Sequence, residues 1–201
     1  MVSKTIAVDP IDVSLQTIKV PIRALHGSTL LMNKMRDKER QAMLDKVTGK
    51  GTDKSKIRNL EEEAEEKIWY DENKNIGFPA SGFKQAIVEA AVYADIKGGK
   101  KLANSIQVLG NIVPLKYMKK DINKSITYDS GMTKAPRETW RPEFYEWTCE
   151  VVVTFNSKAI SPEQVINLFR LAGFHIGIGS WRPYTKKTGG GNHGMFEIAG
   201  K

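Results

Sequence analysis

The chain of 201 residues is long enough for one domain with a real core, and its 40% hydrophobic and 27% charged residues exclude a wholly disordered or fibrous protein. No apolar run reaches the ~18 residues of a membrane span, and the N-terminus lacks the apolar stretch of a secretory signal, so a cytoplasmic protein without a membrane partner is expected. A single cysteine, Cys149, excludes internal disulfides and multi-cysteine zinc sites, and the net charge of +8 favours a polyanionic partner.

Residues 14–25 alternate, with Ile18, Val20, Ile22 and Ala24 on one face and Lys19 and Arg23 on the other, which predicts a strand with a basic outer face. Pro21 has no N–H and is expected at an edge or bulge. His26 and Gly27 break the pattern. Residues 31–75 then read as an inserted helical arm, because Met35, Met43, Leu44, Val47, Ile57, Leu60 and Ile68 are too sparse for a central core element. Residues 34–58 hold nine basic against four acidic side chains and residues 59–74 hold two against seven, so the two halves are expected to pair.

A break at Gly77 to Gly82 precedes a predicted helix with Phe83, Ala86, Ile87, Ala90, Ala91 and Ala94 at helical spacing and Ser81 as candidate N-cap. After Gly98 and Gly99, residues 105–115 read as a strand. The polar stretch 119–138 reads as a mobile loop. Residues 97–141 carry ten basic against three acidic side chains, the first place to expect a polyanion. At the end of this stretch Arg137, Trp140 and Arg141 interleave cations with aromatics, suited to phosphate contact and stacking. An equally weighted reading makes Phe144 and Trp147 core anchors and pairs Arg141 with Glu143 or Glu146.

The clearest strand runs from 145 to 155, with Trp147, Cys149, Val151, Val153 and Phe155 on one face, and is expected to be central. Ser161, Pro162 and Gln164 form a helix-start signature, followed by Val165, Ile166, Leu168, Phe169 and Ala172 as a buried stripe and Gly173 as a stop. Residues 174–178 and 195–198 read as short strands flanking a glycine-rich loop. Without the insertion the order is βαββαβ, an α+β ferredoxin-like or RRM-like core with helices on one sheet face and the other open to a single strand. Lys19, Arg23 and His26 are candidate contacts on that side.

In the glycine-rich loop, Gly177 and Gly179 let backbone amides approach phosphates, Arg182, Lys186 and Lys187 neutralise charge, and Trp181 and Tyr184 stack bases. The structural alternative is a tight hairpin in which the glycines meet positive φ and Trp181 caps the core. His26 and His193 could serve as acid and base in metal-independent RNA cleavage, and exposed histidines are more often without a catalytic role. Cys149 reads as a small core hydrophobe and Glu61 to Glu66 as a solvated helix face, so neither a metal nor a cofactor is expected.

The segment Phe78-Pro79-Ala80-Ser81-Gly82-Phe83-Lys84-Gln85-Ala86 resembles the helix start of the RAMP superfamily, whose members form the RNA-binding backbone of CRISPR effector complexes, and the glycine-rich loop resembles its second hallmark. More closely, and over most of the chain from Leu25 onward, the combination of Arg141, Pro142, Phe144 and Trp147 with the 172–183 segment and Gly194-x-Phe196 looks like a family of small phage and prophage proteins, the RAMP resemblance being the looser of the two. The RAMP resemblance implies side-by-side oligomers with single-stranded nucleic acid along them, Ser81 and Lys84 near its backbone. Here Gln85-Ala86 replaces the glycine usual after the helix-start lysine, and the glycine loop is longer. The expected function is a non-enzymatic, self-associating binder of single-stranded DNA or RNA in phage nucleic-acid metabolism or counter-defence. The alternatives are a metal-independent endoribonuclease with His26 as base, or a cyclic-nucleotide sponge or structural protein.

Overall fold

The computed structural model describes residues 13–48, 59–96, 98–128, 135–184 and 190–200. The first alternating stretch forms β1 (Leu15–Ala24), with Val20 and Ile22 buried and Lys19 and Arg23 exposed. β1 is an inner strand rather than an edge. Pro21 is tolerated there because its carbonyl accepts from Ala199 N just past the end of the short last strand, so its missing donor costs no ladder bond.

Residues 31–75 are only partly an arm. Leu30 and Leu31 form β2 (Leu30–Leu31) and Met32 follows into the core, while Ile68 is also buried just before β3 (Trp69–Tyr70). Between them, α1 (Asp37–Val47) leaves Met43, Leu44 and Val47 exposed, and α2 (Leu60–Glu65) is short. The expected charge pairing of the two halves is made by Arg36 with Glu63 and Glu66 and by Lys38 with Glu66.

Next come β4 (Ile76–Pro79) and α3 (Ala80–Tyr93). The N-cap is Pro79 and not Ser81, which lies inside the first turn, because the chain passes directly from strand to helix. Phe83, Ala86, Ile87, Ala90 and Ala91 are buried as their spacing predicts, whereas Ala94 is exposed past the helix end. Gly98 takes the left-handed conformation that starts α4 (Gly99–Asn104). The single strand expected over 105–115 is divided into β5 (Ile106–Val108) and β6 (Ile112–Pro114), which join different sheets across a turn at Gly110.

The stretch read as a mobile loop is instead strand. β7 (Lys119–Tyr128) and β8 (Pro136–Tyr145) are paired antiparallel over ten residues each. Polar residues alternate here on both faces, so no hydrophobic period reveals the strand. Residues 129–134 of that stretch lie outside the described residues.

β9 (Thr148–Asn156) turns Cys149, Val151, Val153 and Phe155 inward and is an inner strand. Burial pushes the Cys149 thiol up to about 12, as suits a core side chain. α5 (Pro162–Leu171) begins with a complete capping box between Ser161 and Gln164. Gly173 does not stop it. The helix widens into a π turn over 172–176 that replaces the strand expected from 174, and it ends at Gly177. A Cβ on Gly173 would lie 2.0 Å from the Phe196 carbonyl oxygen, so glycine is there to let the turn touch β10 (Phe196–Ile198).

The main sheet has the order β10-β1-β9-β5 with every neighbour antiparallel, and α3 and α5 connect β1 to β5 and β9 to β10. This is the α+β ferredoxin-like arrangement. Phe83 and Trp147 each meet Phe196 edge to face, joining helix and sheet in one core. Two three-stranded sheets, β2-β8-β7 and β3-β4-β6, flank it. No helix among the described residues is long and apolar enough to cross a membrane.

Candidate nucleic-acid interface

The open face of the main sheet is polar and charge-matched. Thr17 bonds Thr154, Lys19 pairs with Glu150 at 2.9 Å and Arg23 with Glu197 at 2.7 Å. No aromatic side chain stands among these outward positions, so the face lacks the stacking platform of an RRM. His26 is exposed at the sheet's end, in a cleft of about 730 Å³ with Arg23, Ser28, Tyr145 and Glu146.

The glycine-rich loop does not cross that face. Ser180 N donates to Leu31 O and Gly194 N to Thr29 O, which tie the loop to β2 and the turn before it. Gly179, at φ +77°, has room for a Cβ only at 2.5 Å from Leu31 O, so its permissiveness serves contact with protein backbone. Gly177 likewise packs against Arg182 and Pro183. Both glycines therefore follow the hairpin alternative. Trp181 does not cap the core as that alternative supposed, since it is 39% exposed.

Two motifs noted in the sequence meet. Ser81 and Gly82 at the start of α3 and Gly179, Ser180 and Arg182 of the loop line one cleft of about 320 Å³, with Asn33 and Trp69. Arg182 is held there by Glu89 of α3 at 3.0 Å. Lys84 is not part of this cleft. Its ammonium donates to the carbonyls of Ala103 and Ile106, and burial pulls its pKa below the ordinary lysine value, so its charge fastens α3 to the start of β5. Tyr184 packs edge to face on Tyr93, itself stacked on His175. Lys186 and Lys187 lie outside the described residues.

The most distinctive electrostatics occur where β8 runs under the loop. Arg141 is 8% exposed and has no carboxylate within 4.0 Å among the described residues, so neither Glu143 nor Glu146 pairs with it. Its Nη1 donates to Ser125 Oγ at 3.2 Å, its Nε is buried without a partner, and its guanidinium lies 5.4 Å from the Trp181 ring centre. Burial lowers its pKa. Lys67, 4% exposed, donates to Trp140 O, and its pKa is lowered by burial first and then by Arg141 and Arg36, against the opposing pull of Glu39 and Glu63. A buried cation is normally paired with an anion, and Arg141 is not.

On the hairpin, Lys124 sits 4.2 Å over the ring of Trp140, whose indole N–H donates to Glu138, and Arg137 is exposed. His193, expected as a loop contact, is held by Thr29 beside Glu143. Thr29, Ser125, Glu143, Lys67 and Glu89 carry no local signal. Thr29 meets Glu143 and His193, Ser125 meets Arg141, Lys67 meets Trp140 and Glu89 meets Arg182 across 16 to 164 residues of sequence, contacts that become visible only when the chain is folded.

The fold is an α+β ferredoxin-like domain with flanking sheets and a glycine-rich loop. It resembles a chain in the cryo-EM structure of the type III-B Cmr-beta complex bound to cognate target RNA, with a TM-score of 0.50 at 12% identity; the match covers 92% of this chain and 59% of that one. The chain thus spans about three fifths of its neighbour's length, and the likeness is one of fold. No family model matches the sequence, and no curated protein does.

Proposed function

We propose that this chain binds single-stranded nucleic acid where the β7–β8 hairpin meets the glycine-rich loop, without cleaving it, and that copies associate side by side along the strand in phage nucleic-acid metabolism or counter-defence. The observation that carries the reading is Arg141, a buried guanidinium without a carboxylate, beneath a half-exposed tryptophan. Phosphate supplies the missing negative charge and a base stacks on Trp181. Lys124 over Trp140 repeats the pairing of cation and aromatic on the hairpin's other face. The likeness of fold to a chain of an RNA-bound complex points the same way.

The test is fluorescence anisotropy with short labelled single-stranded oligonucleotides at two salt concentrations, with light scattering on the same samples. Salt-sensitive binding with growth in particle size is expected, because each neutralised phosphate releases counterion. No binding at either salt concentration overturns the reading. The placement of His26 in the 730 Å³ cleft favours one second reading, metal-independent RNA cleavage. Incubating RNA with the protein in chelator decides it: intact RNA supports a binder, and products lost in His26→Ala support the nuclease.

A further inference from the structure

We infer that the site beside Trp181 distinguishes RNA from DNA, by accepting a hydrogen bond from a ribose 2′-hydroxyl at Nε2 of His193. The inference rests on the nucleic-acid reading above and deepens it. Thr29 has one hydroxyl hydrogen, and it goes to Glu143 Oε1 at 2.6 Å. The same Thr29 oxygen lies 2.8 Å from His193 Nδ1, so it must accept and Nδ1 must carry the proton. The other carboxylate oxygen of Glu143 accepts from Asn123 Nδ2 at 3.2 Å, which holds the relay in place.

With Nδ1 protonated, Nε2 carries the lone pair. Burial lowers the pKa of the ring, against the opposing pull of Glu143, so at neutral pH Nε2 is an acceptor and not a donor. It has no hydrogen-bond partner among the described residues. The imidazole lies 5.9 Å from the Trp181 ring, and that ring lies 5.4 Å from the Arg141 guanidinium. An aromatic ring, a fixed acceptor and an unpaired cation thus stand within the span of one nucleotide and match its base, sugar and phosphate. The sugar donor next to a phosphate is the 2′-hydroxyl, which DNA lacks.

The experiment compares one sequence made as RNA, as DNA and as 2′-O-methyl RNA, which keeps the ribose pucker but loses the donor. RNA should bind about fivefold to tenfold tighter than either, the range of one net hydrogen bond. His193→Ala should remove the preference, so that this variant binds RNA no tighter than DNA. Thr29→Val, which releases the tautomer without touching the ligand, should lose much of the preference, whereas His193→Gln, whose amide oxygen accepts, should keep part of it. Equal affinity for RNA and 2′-O-methyl RNA in the native protein overturns the inference even if His193→Ala fails to fold, and so does a preference that survives in His193→Ala. Both results leave the binding reading standing, whereas binding of none of the three strands removes that reading itself.

Discussion

Replacing Arg141 with methionine should separate stability from binding, moving them in opposite directions. In the free protein the change removes one hydrogen bond to Ser125 Oγ, worth about 1 kcal/mol, and one contact with the Trp181 ring, worth about another. Ser125 Oγ keeps its bond to Thr139 O, so no buried hydroxyl is orphaned. Against these losses stand the desolvation of a guanidinium that is 8% exposed and has no counter-ion, a cost of several kcal/mol, and its repulsion of Lys67. Methionine fills most of the volume without a charge. The net expectation is a free protein as stable as native or up to about 3 kcal/mol more stable in urea unfolding. Binding should fall, because truncating one partner of a buried charge pair costs about 2 kcal/mol or more, roughly a 30-fold loss. The slope of log affinity against log salt should flatten by about 0.7, one phosphate contact on a single strand. A destabilisation above about 2 kcal/mol with unchanged affinity would refute this reasoning and make Arg141 a structural residue.

Two further outcomes follow from the packing. Gly173→Ala places a Cβ 2.0 Å from the backbone oxygen of Phe196, an obstacle that cannot rotate away, so the urea midpoint should drop by the equivalent of about 1–3 kcal/mol; an unchanged midpoint would show that the π turn and β10 do not touch as described. Lys84 has a folded pKa below its unfolded value of 10.5, so in the interval just below pH 10.5 the unfolded chain binds more protons and stability rises with pH. The burial penalty is fully present below the folded pKa and is relieved as pH climbs through it, while the neutral amine can still donate to both carbonyls. Lys84→Met should reduce this alkaline rise in thermal midpoint to the part contributed by Lys67, which burial lowers likewise, and a rise of undiminished size in the variant would assign it to another group.

The core was legible from sequence where burial imposes a period. β9, with its inward Val151, Val153 and Phe155, and α5, with its Ser161 and Gln164 cap, follow from residues within one element. The β7–β8 hairpin was illegible because neither of its faces keeps a simple apolar alternation. One side puts Phe144 into the core and Trp140 beneath Lys124, and the other puts Arg141 and Glu143 under the loop. Buried polar residues read as solvent-facing in a sequence, and the stretch therefore resembled a loop. Ser81 and Gly173 show a related limit. Each residue type suits a helix end, yet the actual ends are decided by the strand that precedes α3 and by contact with Phe196.

The candidate site illustrates how folding redistributes a basic surplus. Composition alone makes every lysine and arginine near an aromatic or a glycine a phosphate ligand in waiting. In the folded chain Lys19, Arg23 and Arg182 are answered by Glu150, Glu197 and Glu89, and Lys84 by two carbonyls. The glycines of the loop, which suggested amides turned toward phosphate, are spent on close contact with β2 and with the loop itself. Among the described residues Arg141 is left as the buried guanidinium without an anion, and the same loop that covers it supplies Trp181 and His193. The net charge of +8 thus says that a polyanion is welcome, whereas Arg141, desolvated beside the half-exposed Trp181 and without a carboxylate among the described residues, marks where we propose that it binds.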